Sequence, residues 1–169
     1  MERRLLIVRS VSFQQLDLLL PPLRGAFPEH RFELLTHAHG LAIARTYPEF
    51  QVVHSYPHAG SFRFGMPVPD LGSTEFDVVL VPVASMGGGG YFNVLLFAFG
   101  LAARQRLICL PDGSIRPLTA GGVLARAARH LGLALVAGLA AVPLGLAAML
   151  ALPLILGGLK RSRGGEEQK

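Results

Sequence analysis

Two histidines follow directly after a short apolar run, in the segment THAHG at residues 36–40. Imidazole side chains gain and lose a proton near neutral pH, so His37 and His39 are the first candidates for a general base. A second interpretation stays open at this point, in which the two residues only end a strand and begin a helix.

A run of four glycines precedes a helical pattern in the segment MGGGGYFN at residues 86–93. Free backbone N–H groups at the start of a helix attract phosphate or diphosphate. The run lacks the Gly-Lys-Ser/Thr of a phosphate loop and does not match the dinucleotide pattern, so a merely flexible turn is the alternative. The predicted phosphate-binding residues are Gly87, Gly88, Gly89, Gly90 and Asn93.

The elements that must position these groups alternate between short apolar runs and helical patterns. Helices are predicted at residues 14–26, 40–46 and 91–105, and Pro21-Pro22 should kink or restart the first of them. Residues 57–74, rich in Pro, Gly and Ser, predict a long loop or lid. Strands are predicted at residues 4–9, 31–36, 51–55, 76–83 and 106–110. This alternation predicts an α/β, doubly wound, Rossmann-like domain over residues 1–119, with right-handed crossovers and a mostly parallel sheet.

In an open parallel sheet, ligands bind beyond the carboxyl ends of the strands. Polar residues and glycines follow each predicted strand, so one rim of the sheet is expected to carry the site. Four histidines on neighbouring strand ends (His37, His39, His54 and His58) could hold a metal, but no carboxylate or cysteine accompanies them at ligand spacing. No metal and no other cofactor is therefore predicted. The further rim residues expected to bind a ligand are Ser10, Ser12, Gln15 and Asp112.

Residues 131–159 contain no charged side chain and form a predicted membrane segment. A straight helix of that length would reach roughly 43 Å, against a hydrocarbon core of about 30 Å. Pro143 divides the segment into two stretches, each shorter than the roughly 20 residues that span a bilayer. Either one kinked helix crosses the membrane or a helical hairpin dips in and returns.

The net charge is +5, but most basic residues are scattered, and this argues against a nucleic-acid partner. Basic residues cluster only around the apolar segment, where anionic lipid headgroups are the expected contacts and ordinary solvation is the alternative. An amphipathic linker helix is predicted at residues 120–130, and a disordered tail, first basic and then acidic, at 160–169. The predicted headgroup contacts are Arg126, Arg129, Lys160, Arg161 and Arg163.

A single cysteine, Cys109, excludes an internal disulfide and lies in the apolar run RLICL, so a buried core residue is expected. The segment MERRLLIVRS has too short an apolar stretch for a cleavable signal. The predicted location is the cytoplasmic membrane, with the α/β domain on its cytoplasmic side.

The order of segments resembles the N-terminal half of the heptosyltransferase-like glycosyltransferases, family 9, of GT-B architecture. The resemblance covers roughly residues 3–119 and rests on RLLIVR, LLLPPLRGAFPEHRFELLT, a Tyr47-Pro48 turn and FDVVLVP. In that family a helix ends in Pro-x-Leu-Arg, and an Ala-Phe-Pro segment leads into the second strand. Matching residues here are Pro21, Leu23, Arg24, Ala26, Phe27 and Pro28.

The chain departs from the family pattern in two places. Gln15 stands where the family carries the aspartate expected to activate the acceptor hydroxyl, and Asp17 should face another side of the helix. The predicted membrane segment follows where the family has its donor-binding domain. The resemblance implies a half domain in cell-envelope polysaccharide or glycolipid assembly, which binds a sugar or lipid-linked acceptor and needs a nucleotide-sugar-binding partner subunit. The alternative is a non-catalytic membrane scaffold or sugar-binding accessory protein.

Overall fold

The structure is a computed structural model that describes residues 3–72, 74–86, 90–119 and 121–123. The described residues form an α/β domain with a Rossmann-like, six-stranded sheet in the order β3-β2-β1-β4-β5-β6. The first five strands are parallel, and β6 pairs antiparallel with β5. The predicted α/β class and mostly parallel sheet are confirmed. The strands are β1 (Arg3–Val8), β2 (His30–His37), β3 (Val52–Tyr56), β4 (Phe76–Pro82), β5 (Ala103–Cys109) and β6 (Ile115–Pro117).

Three α-helices connect the parallel strands: α1 (Phe13–Ala26), α2 (Leu41–Ala44) and α3 (Phe92–Gly100). Short 3-10 turns occupy Ala38–Gly40 and Pro69–Leu71. Helix α1 begins at its cap Ser12 and continues through Pro21 and Pro22, so the expected restart is wrong.

The prediction that one helix fills residues 91–105 is wrong at its C-terminal end. Helix α3 ends at Gly100, and residues from Ala103 onward pair with β4. Arg106 explains the boundary, because its guanidinium donates to the carbonyl oxygens of Ala98 (3.1 Å) and Leu101 (2.6 Å). These bonds satisfy carbonyls that the end of a helix leaves without a partner. Arg106, which the sequence pattern placed in the helix, therefore lies on the next strand and caps the C-terminal end of α3.

Two apolar cores lie on the two faces of the sheet. Helix α1 buries Leu16, Leu19, Leu20 and Leu23 on the face formed by residues such as Leu5 and Leu34, where Cys109 is also fully buried, as expected. On the other face, α3 packs with the long segment between β3 and β4, which contributes Phe62, Val68 and Leu71. Burial of these side chains is the main stabilising contribution to the domain.

The predicted membrane segment 131–159 and the tail 160–169 lie outside the described residues, as does most of the linker. Residues 121–123 of that linker are helical. Within the described part of the chain, no helix combines the length and the apolar character needed to cross a bilayer.

A buried carboxylate, Glu33, lies in the middle of β2 with no exposed surface. Arg4 on β1 donates to both of its oxygens (2.6 and 2.9 Å), and Nε2 of His54 on β3 lies 2.7 Å from Oε2. Burial disfavours the charged carboxylate, but the hydrogen bonds from His54 and Arg4 and the charge of Arg4 outweigh it. Together they lower the pKa of Glu33 to about 2. Three neighbouring strands are thus joined by one ionic cluster.

Replacing Glu33 with Gln should lower the free energy of unfolding by about 3–5 kcal/mol, because Arg4 loses its buried partner. Cys109 is the only cysteine of the sequence and is fully buried, so its reaction with a fluorogenic thiol reagent during a urea titration measures unfolding of this domain. In the unchanged protein, the stability that Glu33 contributes should be lost as pH falls from about 4.5 towards 2, because the folded-state pKa is depressed. The Gln variant should lack this part of the acid dependence.

The matched control is Glu75→Gln, an exposed carboxylate 3.9 Å from Arg104. This change should alter stability by less than about 0.5 kcal/mol. Equal losses in the two variants would contradict the assigned role of the Glu33 cluster.

Candidate ligand-binding crevice

The order of the strands reverses between β1 and β4, because β2 and β3 continue on one side of β1 and β5 on the other side of β4. Loops leaving such a pair diverge to opposite faces of the sheet, and a crevice opens between them. A cavity of about 290 Å³ occupies this position. Its lining residues are Arg9, Ser10, Val11, His37, His39, Ser61, Phe62, Gly90, Tyr91, Asn93 and Val94.

Arg9, the residue after β1, organises the floor of the crevice. Its Nε–H donates to Oγ1 of Thr36 (2.7 Å), and Nη1 donates to the carbonyl of Val11 (3.1 Å). Its guanidinium also lies over the ring of Phe13, 4.5 Å from the centroid. Burial lowers the pKa of Arg9, yet a guanidinium remains charged at neutral pH. A fixed positive charge therefore lies at the carboxyl end of the central strand.

His39 is a neighbour of this charge, with Nε2 3.3 Å from Nη2 of Arg9. Since a guanidinium can only donate, Nε2 of His39 accepts this bond when the ring is neutral, and the ring hydrogen is then on Nδ1. The nitrogen that would serve as a base is therefore already engaged.

His37 has the opposite arrangement. Its Nε2 lies 2.7 Å from the carbonyl of Gly60, so Nε2 carries the hydrogen and Nδ1 is free to accept a proton. Burial is the largest influence on this ring and lowers its pKa; the bond to Gly60 opposes the shift, while the charge of His39 in its protonated form and the charge of Arg9 add to it. His37 is consequently neutral at pH 7 and is the better general base of the two.

The two histidines stack on each other, with centroids 5.6 Å apart, and His37 also packs against Phe62 at 4.5 Å. Phe62 belongs to the segment between β3 and β4, whose Ser61 receives a 3.4 Å hydrogen bond from Nδ2 of Asn93. The side of the crevice formed by Ser61 and Phe62 is thus held by side chains from β2 and α3.

Five of the residues expected to form the site line this crevice together: Ser10, His37, His39, Gly90 and Asn93. The hydroxyl of Ser10 donates to the carbonyl of Pro82 and joins the ends of β1 and β4. Gly90 has a positive φ of 83° just before α3, a conformation that glycine adopts without strain. Gly87, Gly88 and Gly89 lie outside the described residues.

Three expected site residues have other roles. Ser12 caps α1 by accepting the backbone N–H of Gln15 (3.3 Å), and neither residue lines the crevice. Asp112 accepts both the N–H and the hydroxyl of Ser114 in the turn between β5 and β6, and the hydroxyl bond is the largest cause of its lowered pKa. The lipid-contact candidates Arg126, Arg129, Lys160, Arg161 and Arg163 lie outside the described residues.

The four histidines that were candidates for a metal site each contact a different group. His54 lies inside β3 and faces Glu33, while Nε2 of His58 is bonded to the carbonyl of Pro67 (2.8 Å). Among the described residues, no group of three or more His, Cys, Asp or Glu side chains is arranged to hold a metal ion.

Sequence reasoning missed Arg9 and Ser61. A charged residue directly after the first apolar strand was the available signal for Arg9, because the first strand of such a sheet is central. Ser61 had no comparable signal, since the segment between β3 and β4 shows no period.

In comparisons with known proteins, no family model, no curated protein and no solved structure matches the chain.

His37 should titrate below the ordinary histidine pKa of about 6.5 and should carry its neutral-state hydrogen on Nε2. Proton–nitrogen correlation spectra of the histidine-labelled chain over a pH series measure both properties. His39→Gln removes one of the neighbours that lower the pKa of His37 and should raise it. A midpoint above 6.5 in the unchanged protein, or an Nδ1–H tautomer, would contradict the geometry described.

Gly40→Ala should disturb the Arg9–Thr36 contact. An added Cβ would lie 2.5 Å from Oγ1 of Thr36 and 3.1 Å from Nη2 of Arg9, and Thr36 is fully buried. We expect a loss of about 1–3 kcal/mol in the free energy of unfolding, measured by the reactivity of Cys109. Gly25→Ala in α1 is the matched control, because its Cβ meets no atom within 4 Å. The control should be neutral or slightly stabilising.

Proposed function

We propose that this chain is a glycosyltransferase-like half domain, which binds a sugar or lipid-linked acceptor in the crevice between β1 and β4. His37 is the observation that carries the proposal. It is a neutral imidazole in the crevice, with Nε2 bonded to Gly60 and Nδ1 free to accept a proton. Nδ1 would take the proton of an acceptor hydroxyl while the oxygen attacks the anomeric carbon of the donor and the nucleoside diphosphate leaves.

The donor would come from a partner subunit with a nucleotide-sugar-binding domain. The resemblance to family 9 glycosyltransferases supports this division, because a single Rossmann-like domain would make up one half of that architecture. The predicted membrane segment would keep the domain on the cytoplasmic side of the membrane, where lipid-linked acceptors are assembled into cell-envelope polysaccharide or glycolipid.

A specific observation favours a second function, that of a non-catalytic sugar-binding subunit. Among the described residues that line the crevice, none is a carboxylate. Asp17, the nearest acidic residue to the family's expected base position, accepts a hydrogen bond from the hydroxyl of Tyr47 (2.6 Å). Burial is the largest cause of the raised pKa of Tyr47, and this bond raises it further, to about 12. The pair is therefore a structural contact. Catalysis in this domain would therefore depend on His37.

The test begins with affinity purification of the full chain from its native membrane, followed by glycosyl transfer from nucleotide-sugars to the co-purified acceptors. His37→Gln should lower kcat by about 10²–10⁴-fold and change acceptor binding much less. The rate should also fall as pH drops below the pKa of His37, and His39→Gln should move this limb to higher pH.

His58→Gln is the matched control, because the partners of His58 in the described residues, the carbonyl of Pro67 and the ring of Tyr56, do not line the crevice. Full activity in His37→Gln would exclude the histidine as the base. Acceptor binding without transfer in any preparation that contains the partner would favour the non-catalytic function.

A further inference from the structure

A second cavity, of about 390 Å³, lies between the segment Gly65–Gly72 and the C-terminal half of α3. Its volume falls in the range of roughly 300–1,000 Å³ typical of small-molecule pockets. Among the described residues that line it, none has a polar side chain, and the polar atoms that face it belong to the backbone; the lining includes Met66, Val68, Leu71, Phe97 and Leu101. We call it the apolar cavity.

Helix α3 lines both cavities. Asn93 and Val94 in its first turn face the crevice, and Phe97 and Gly100 face the apolar cavity. Asn93 and Gly100 are seven positions apart along the helix, a rise of about 10 Å. The crevice and the apolar cavity are therefore neighbours along one helix and beside one connecting segment.

Two aromatic rings divide them. Phe62 lines the crevice, Phe97 lines the apolar cavity, and their centroids are 5.1 Å apart. The segment that carries Phe62 is bonded to the crevice side chains His37, through Gly60, and Asn93, through Ser61. A ligand that takes over these two side chains would release Phe62 and open the partition.

The crevice has the chemistry of a phosphate site. Arg9 has five N–H groups, of which three are bonded within the described residues, so two remain for ligand oxygens. His37 and Asn93 offer further N–H donors on its sides, and no carboxylate lines it within the described part of the chain to repel an anion. A bidentate contact from a guanidinium is the strongest recognition a protein makes of phosphate.

From these observations we propose that the two cavities bind one amphipathic ligand, with a phosphate head in the crevice and a hydrocarbon chain in the apolar cavity. This inference rests on the proposed function and names its acceptor class as a lipid phosphate that also carries the reacting hydroxyl. The chain would displace Phe62 from Phe97, and the head would replace the bonds to Gly60 and Ser61. The apolar lining explains why such a ligand is favoured over a free sugar phosphate.

Isothermal titration of the full chain in detergent tests this with inorganic phosphate, n-butyl phosphate and n-octyl phosphate. Affinity should rise by about fourfold for each methylene between butyl and octyl. Gly100→Phe should fill the apolar cavity, because a Cβ at Gly100 points to Gly65 and Phe64 at 3.7 Å. It should reduce the difference between butyl and octyl phosphate to less than about twofold and leave inorganic phosphate binding unchanged.

Gly100→Ala is the matched control, since its Cβ makes only ordinary contacts, and it should keep the dependence on chain length. An octyl phosphate with a terminal diazirine supplies a measurement that needs no variant. Its crosslinks should fall within residues 65–72 or 97–101. This crosslinking measurement remains informative if Gly100→Phe misfolds.

Equal affinity for all three phosphates, or crosslinks only outside those residues, would overturn the assignment of the chain site and leave the crevice as the acceptor site. Failure of inorganic and alkyl phosphates alike to bind would overturn the lipid-phosphate class altogether. Failure of the proposed function would give a different result. Glycosyl transfer would then be absent with the partner present, while the dependence of affinity on chain length persisted.

Discussion

The structure depends on covering one face of the sheet at the connection from β3 to β4, where the described residues form no α-helix. The chain crosses from β3, at one edge, to β4 in the middle of the sheet through a segment with only a short 3-10 turn. Phe62, Val68 and Leu71 from that segment provide the burial that a helix would otherwise provide. Aromatic rings of Tyr56, Phe62 and Phe97 pack together there, with centroids 4.6–5.5 Å apart. A segment that covers a sheet with a few large side chains leaves spaces beside them, and both cavities lie beside these rings.

The general architecture could be predicted from the sequence because the buried strands are apolar runs separated by helical patterns. The location of the crevice followed from topology alone, since parallel strands bring their carboxyl ends to one rim. Strand β6 could not be predicted, because three residues with two exposed side chains carry no apolar pattern. The end of α3 was missed because Arg104 and Arg106 resemble the polar side of a helix, and only the contact of Arg106 with α3 separates the two elements.

The roles of individual polar residues were harder to predict from the sequence than the fold. Glu33 in RFELLT resembles an outward residue of a half-exposed strand, yet it is fully buried. Its partners Arg4 and His54 are 29 and 21 residues away along the chain. Such a pairing becomes visible only when the register of three strands is known. In the same way, the contact of His39 with Arg9 and that of His37 with Gly60 distinguish two histidines that are equivalent in sequence.

Both edges of the sheet are protected against pairing with another strand. At one edge, β6 is only three residues long and ends in Pro117, which has no N–H to donate. At the other, the carboxylate of Asp70 accepts the backbone N–H of Ser55 on β3 (3.1 Å). These features disfavour extension of the sheet by another strand, so we expect a partner to bind through side-chain surfaces. Substitutions change a side-chain surface more easily than they change the backbone hydrogen bonds of a sheet. The identity of a partner could therefore change during evolution while the sheet remained the same.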